Sequence, residues 1–198
     1  MILTVDIGNT ATTMGLYTPE GTLRFRGALK TDKNKTQDQL AIDLLDMFHL
    51  YQADIGEVTG GVISSVVPPM THAMAGAIRQ LSGVRPMIVG PGVKTGMNIL
   101  AEVHNQLGAD IVASSVAALQ KYPQPIIVID MGTATTLSYL GNNTYEGCVI
   151  IPGVRIAVEA LSGRAAELPH ISIEEPPSVF GRSTIDAMRS GVLYGNAG

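Results

Sequence analysis

An aspartate, a glycine two positions on and a cluster of small hydrogen-bonding residues behind them close an apolar run twice in this chain. The first occurrence is LTVDIGNTATT, Leu3 to Thr13, and the second VIDMGTATT, Val128 to Thr136. Laying Asp6 on Asp130 superimposes the two at an offset of 124 residues. Glycine lets a backbone turn tightly and approach a ligand closely. Asn9 and Thr10, or Thr133, Thr135 and Thr136, supply side-chain donors, and backbone N–H groups at such turns form anion-binding concavities. Two such turns facing one another across a cleft would hold a polyphosphate, with the aspartates anchoring its counter-ions. Asp-x-Gly is also an ordinary turn sequence, and either motif alone leaves both readings open. Their duplication at equivalent places favours the chemistry.

Other site chemistries find little support. No G-x-x-x-x-G-K-[ST] occurs, and no G-x-G-x-x-G follows a strand pattern. His49, His72, His104 and His170 share no metal-ligand spacing. Cys148, the one cysteine, lies in the apolar run CVII and reads as a buried small hydrophobe. Asp110, just ahead of a helical pattern, reads on its own as that helix's N-cap.

The elements that must position the paired turns alternate between strand and helix. ILTVD, TTMGLY and TLRFRGAL form an antiparallel meander. A helix opens at Thr36 with Gln39 completing a capping box and runs with Leu40, Leu44, Met47 and Tyr51 on one face. GGVISSVV is a buried strand. Met70, Met74, Ile78 and Leu81 mark the next helix, ended by Gly83, and their spacing makes them core rather than a binding groove. PMIVG is a further strand, and GADIVASSVAALQKY a helix with Val112, Val116 and Leu119 inward. Two prolines in YPQPIIVID then break the pattern. The meander restarts as IIVID, TTLSYL and TYEGCVII, followed by helices over about 154–168 and from about Ser183 onward. This places one half at residues 1–122 and a second at 123–198, the second repeating the first in shortened form. The sequence reads as truncated at its C-terminus.

Composition bounds the rest. With 198 residues, 45% of them apolar, the chain can bury a substantial core. Charged residues make up 15%, against about 25% in an average globular protein, which suggests a subunit interface. A net charge of −4 leaves no electrostatic footprint for nucleic acid or an anionic membrane. One cysteine, no signal peptide and no apolar run near the ~20 residues that span a bilayer predict a reducing, cytoplasmic location.

These residues carry a resemblance. The duplicated hairpins resemble the phosphate-binding motifs of the acetate kinase, sugar kinase, Hsp70 and actin superfamily. More narrowly, DIGNT, VISSVVPP, VGPGVKTG, GAD, DMGTATT, Pro152-Gly153 and GRSTIDAMRSG, in that order along the whole chain, resemble the type III pantothenate kinases. The resemblance implies an α/β, duplicated actin-like (ribonuclease H-like) fold, with two halves that each carry a mixed five-stranded sheet flanked by helices, the second incomplete. It implies a cytoplasmic homodimer that phosphorylates pantothenate with ATP, the first step toward coenzyme A, using Mg2+ and K+ or NH4+. By position it assigns Asp6, Ile7, Gly8, Asn9, Thr10, Ala11, Thr12 and Thr13 to ATP, Asp6 also to magnesium, Thr133 to the nucleotide phosphates and Asp130 to the monovalent cation. Asp110 matches the general base. Gly108, Ala109, Asp110, Ile111 and Thr184 match the acceptor side, Thr184 reaching substrate across the dimer interface.

The acceptor side also departs from the family. An arginine that meets the pantothenate carboxylate is replaced by Ile111, and a tyrosine nine residues before the base by Ala101. Losing a charge-assisted bond costs about 1.5 to 3 kcal/mol. The alternatives are therefore a kinase with a rearranged acceptor pocket, a silent nucleotide-binding paralogue, and a kinase for another small hydroxy compound without a carboxylate. The retained Asp110 favours an enzyme.

Overall fold

The structure is a computed structural model that describes residues 1–90, 92–100, 107–165 and 167–198. The chain forms two compact units. One is built on Met1–Met97 and the first part of the third helix, up to Ala117; the other on Asn98–Leu100 and Ala118–Gly198.

In the first unit, β1 (Ile2–Ile7), β2 (Ala11–Tyr17) and β3 (Leu23–Lys30) form the expected antiparallel meander. β4 (Gly60–Ser65) and β5 (Met87–Ile88) add in parallel on the other side of β1, giving the order β3-β2-β1-β4-β5. Strict alternation in β1 sends Leu3, Val5 and Ile7 to one face. There they pack with Met14, Leu16 and Ile63 of neighbouring strands and with two helices, α1 (Gln37–Leu50) and α2 (Pro68–Ser82). Asp6 points the other way.

The helix signals act where the sequence has them. Thr36 caps α1, its hydroxyl accepting from the Gln39 amide at 3.3 Å while the Gln39 side chain accepts from the Thr36 amide at 2.9 Å. Gly83 ends α2 in the left-handed region, at φ 73°. Leu40, Leu44, Met47, Met70, Met74 and Ile78 are buried. Tyr51 departs from the expected helix face. It is the C-cap residue of α1, half out of the core, and stacks on Phe25 with ring centroids 4.7 Å apart.

In the second unit, β7 (Ile126–Met131), β8 (Ala134–Gly141) and β9 (Thr144–Pro152) repeat the antiparallel meander. Asn142 and Asn143, at φ 49° and 57°, make the two-residue turn between β8 and β9. Two left-handed residues in succession match the twist of a hairpin. A short strand, β6 (Asn98–Ile99), pairs in parallel with β9, so the sheet has four strands among the described residues, in the order β6-β9-β8-β7. The second sheet is thus one strand short of the first.

Three further α-helices occur among the described residues: α3 (Ala109–Lys121), α4 (Val154–Arg164) and α5 (Thr184–Ala197). The buried stripe of α3 is Ala109, Val112, Ser115 and Ala118, not Val112, Val116 and Leu119. Small residues face the interior there, and they carry no hydrophobic signal in a sequence. Cys148 is a further correction. It is exposed, as are its neighbours Val149 and Ile150, so neither face of β9 is covered at that point. Among the described residues, no helix is long and apolar enough to cross a membrane.

Candidate functional site

Asp6 lies at the carboxyl end of β1, exposed on the face opposite the two helices. Parallel pairing sets Ser64 of β4 beside it. The Ser64 hydroxyl, itself buried, donates to Asp6 Oδ1 at 2.9 Å and fixes the orientation of that carboxylate.

The turn that follows is braced from outside the hairpin. Gly8 N–H donates to the Ala11 carbonyl at 3.0 Å, closing the turn over Asn9 and Thr10. A Cβ on Gly8 would stand 3.1 Å from that carbonyl, a tight contact that the turn could meet only by giving way by a few tenths of an ångström. Thr31, just past β3, donates its amide to Thr10 O at 3.0 Å and its hydroxyl to Gly8 O at 2.7 Å. Thr12 Oγ1 lies 3.0 Å from Thr31 Oγ1. Of the residues assigned to ATP, Asn9, Thr10 and Ala11 are exposed on this turn with Asp6, whereas Ile7 and Thr12 are buried and face the interior.

The second hairpin repeats the first with one residue fewer. Asp130 pairs with Thr136 and Met131 with Thr135, and Gly132 N–H closes on the Ala134 carbonyl at 3.0 Å, leaving Thr133 alone at the tip. The offset of 124 holds only through the glycine. Beyond it Thr12 corresponds to Thr135 and Thr13 to Thr136, and Thr12 and Thr135 are each 2% exposed. Gly153, immediately before α4, donates to Thr133 O at 3.1 Å, and a Cβ there would collide with the carbonyl oxygens of Gly132 and Thr133. The helix start and the turn therefore meet backbone to backbone.

Asp110 is not the N-cap of α3. Val112 N–H donates to Gly108 O at 3.1 Å, which makes Gly108 the capping position. Asp110 sits in the first turn, half-buried, its Oδ1 accepting from the Ile111 amide at 2.8 Å. The carboxylate folds over Gly108, where a Cβ would strike it. That same Cβ position is 3.7 Å from Val66, whose amide donates to Ile7 O at 3.1 Å. The start of α3, with Gly108, Ala109, Asp110 and Ile111, thus lies at the strand ends that carry Asp6.

In the second unit, Thr184 is exposed at the first position of α5. Ser183 caps that helix, accepting from the Asp186 amide at 3.1 Å and donating to its carboxylate at 2.8 Å. Gly181 fits against the first turn, where a Cβ would overlap the backbone of Asp186 and Ala187. Ala101 lies outside the described residues.

The donor set suits a hard cation held largely by its ligand. Among the described residues no group of three His, Cys, Asp or Glu side chains gathers. Asp6 and Asp130 each offer a carboxylate beside a turn, an oxygen donor of the kind that hard cations take. Ser64 and Thr31 escaped the sequence reading. Ser64 was findable by laying the two parallel strands side by side, whereas Thr31 depends on a side-chain reach that no pattern encodes.

Comparison with known proteins gives a consistent result. The family described as "Type III pantothenate kinase" matches residues 2–198. The type III pantothenate kinase of Listeria welshimeri is 41% identical over 199 residues, covering 100% of this chain and 76% of the relative. The one from Bacillus cytotoxicus is 40% identical with the same coverage. Among solved structures, a protein described as a Baf family transcriptional activator from Campylobacter jejuni matches with TM-score 0.57 at 18% identity, over 98% of this chain and 75% of that one. A protein described as a 2-dehydro-3-deoxygalactonokinase from Sinorhizobium meliloti matches with TM-score 0.55 at 14% identity, over 98% and 78%. These place the chain in the sugar-kinase-like, duplicated actin-like fold, here with its second half incomplete.

Proposed function

The chain belongs to the type III pantothenate kinase family, and from that premise we propose that it transfers the γ-phosphoryl group of ATP to pantothenate, with roles for Asp6 and Asp110 of the first unit and for Asp130 of the second. The observation that carries this reading is the Asp6 hairpin, a carboxylate held by Ser64 beside a braced glycine turn at the carboxyl end of a strand. Asp110 reaches the same strand ends.

The assigned roles follow from the chemistry of the transfer. Phosphoryl transfer has a loose transition state, so the protein mainly aligns reactants and neutralises charge. The acceptor hydroxyl oxygen bonds to the γ-phosphorus, the bond from that phosphorus to the β,γ-bridging oxygen breaks, and ADP leaves. Asp110 takes the hydroxyl proton as general base. The Gly8–Thr13 segment and Thr133 bind the phosphates, and Thr184 contacts the acceptor from the neighbouring subunit of a homodimer. Asp6 would hold magnesium, which shields phosphate charge when bound, and Asp130 the potassium or ammonium ion. A reducing cytoplasm is the location that suits a lone, exposed thiol.

A second reading has its own support. Ile111 stands where the family has a carboxylate-binding arginine, and Asp110 already accepts its neighbour's amide. A weakened kinase, a silent nucleotide-binding paralogue or a kinase for an uncharged hydroxy compound would each fit. A phosphorylation assay with ATP, magnesium, ammonium and pantothenate decides. Turnover that collapses in Asp110→Asn and an ATP affinity that falls in Asp6→Asn support the reading. No turnover, with ATP binding that is blind to Asp6→Asn, overturns it.

A further inference from the structure

We propose that Thr31 is a positioning residue for nucleotide binding, the brace that holds the Gly8–Thr13 turn in its phosphate-receiving shape. Thr31 lies just past β3, outside the turn, and is 9% exposed. It secures two successive points of that turn, Thr10 O through its amide at 3.0 Å and Gly8 O through its hydroxyl at 2.7 Å.

The direction of the hydrogen bonds follows from counting protons. A hydroxyl has one proton to give. Thr31 gives its proton to a carbonyl, which can only accept, so across the 3.0 Å contact Thr12 donates and Thr31 accepts. The relay runs from Thr12 to Thr31 to Gly8, in a place where Thr12 is 2% exposed and water does not compete. Each hydroxyl fixes the rotamer of the next, and the last fixes a peptide plane beside Asp6. Without it the Gly8 carbonyl is released at the one residue of the turn with no side chain to restrain it.

The effect on binding is a matter of populations. A turn that spends a tenth of its time in the competent shape binds about tenfold more weakly, with no contact to the ligand altered. This rests on the assignment of the Asp6 turn to ATP, and the test separates the two. ATP with magnesium is titrated calorimetrically into the purified full chain and its Asp6→Asn, Thr31→Val, Thr31→Ser and Thr12→Val variants. The temperature is one at which circular dichroism shows each variant folded, and KM values for ATP and pantothenate are measured alongside.

Thr31→Val keeps the branched shape and removes the hydroxyl. It should weaken ATP about tenfold and leave the KM for pantothenate unchanged, while Thr31→Ser restores near-wild-type affinity. A general loss of stability would move both KM values and would not be rescued by serine. If Thr31→Val does not fold, Thr12→Val serves in its place. It removes only the outer donor and should weaken ATP by about threefold. Unchanged affinity in whichever of these variants folds, with Asp6→Asn still weakened, overturns the proposal. Unchanged affinity in Asp6→Asn overturns the assignment of the turn itself.

Discussion

Ile111 decides more than its size suggests. It occupies the first turn of α3, half-buried, and its amide is the group that Asp110 Oδ1 grips at 2.8 Å. An isoleucine side chain offers neither charge nor donor to a carboxylate, whereas arginine offers a planar pair of donors of matching geometry. Ile111→Arg should therefore lower the KM for pantothenate about tenfold, with kcat little changed, because a contact to a remote carboxylate acts alike in ground and transition states. Steady-state kinetics with pantothenate and with its alcohol analogue would show it. A gain confined to pantothenate is the expected result, and an equal gain for the uncharged analogue would detach Ile111 from carboxylate recognition. The amide bond to Asp110 is made by the backbone, so it survives this substitution.

At the scale of elements, helix starts meet strand-end turns within each unit. Gly153 is the tightest of these junctions, with α4 beginning against the carbonyls of Gly132 and Thr133. Gly153→Ala must push the helix off the turn or twist the turn away. Overpacking of this kind costs about 1–3 kcal/mol. Urea denaturation should register that loss together with weaker ATP binding, and an alanine variant of wild-type stability would mean that the junction yields freely. The elements differ in how plainly the sequence announces them. The Thr36–Gln39 capping box, the left-handed Gly83 and both meanders are local events, written in a few consecutive residues. The pairing of Asn98–Ile99 with β9 joins two short segments far apart in the chain, and no local pattern specifies it. The one-residue shortening at Thr133 was hidden by the likeness of GNTATT to GTATT, where threonines align well in either register. Motif and resemblance singled out Asp6 and Asp110, and the fold puts the start of α3 near the strand ends that carry Asp6. Ser64 and Thr31 act through partners that only the folded chain brings near.

On the scale of the whole molecule, burial is unequal between the units. Every member of the main apolar cluster falls in the first unit, whereas among the described residues of the second unit Tyr145 and Leu140 are the large side chains with no exposure. Opening free energies follow buried contacts. Native-state hydrogen exchange should therefore find its slowest amides in β1, β4, α1 and α2, with those of β9 around Cys148 to Ile150 exchanging sooner. A uniform exchange profile would mean that the two units open as one.

Among the described residues β7 is an edge strand of the second sheet, and Ile127, Ile129 and Met131 along it are 63%, 59% and 68% exposed. Apart from Asp130 it carries no charge, and no proline interrupts it. An exposed apolar edge of this kind is a template for strand addition. Concentration thus becomes a variable in handling the isolated chain, because crowded copies meet along that border before they meet anywhere better defended by charge. Aggregation would then start from the strand whose tip carries Asp130, and the first symptom of a poorly kept preparation would be loss of the Asp130 turn.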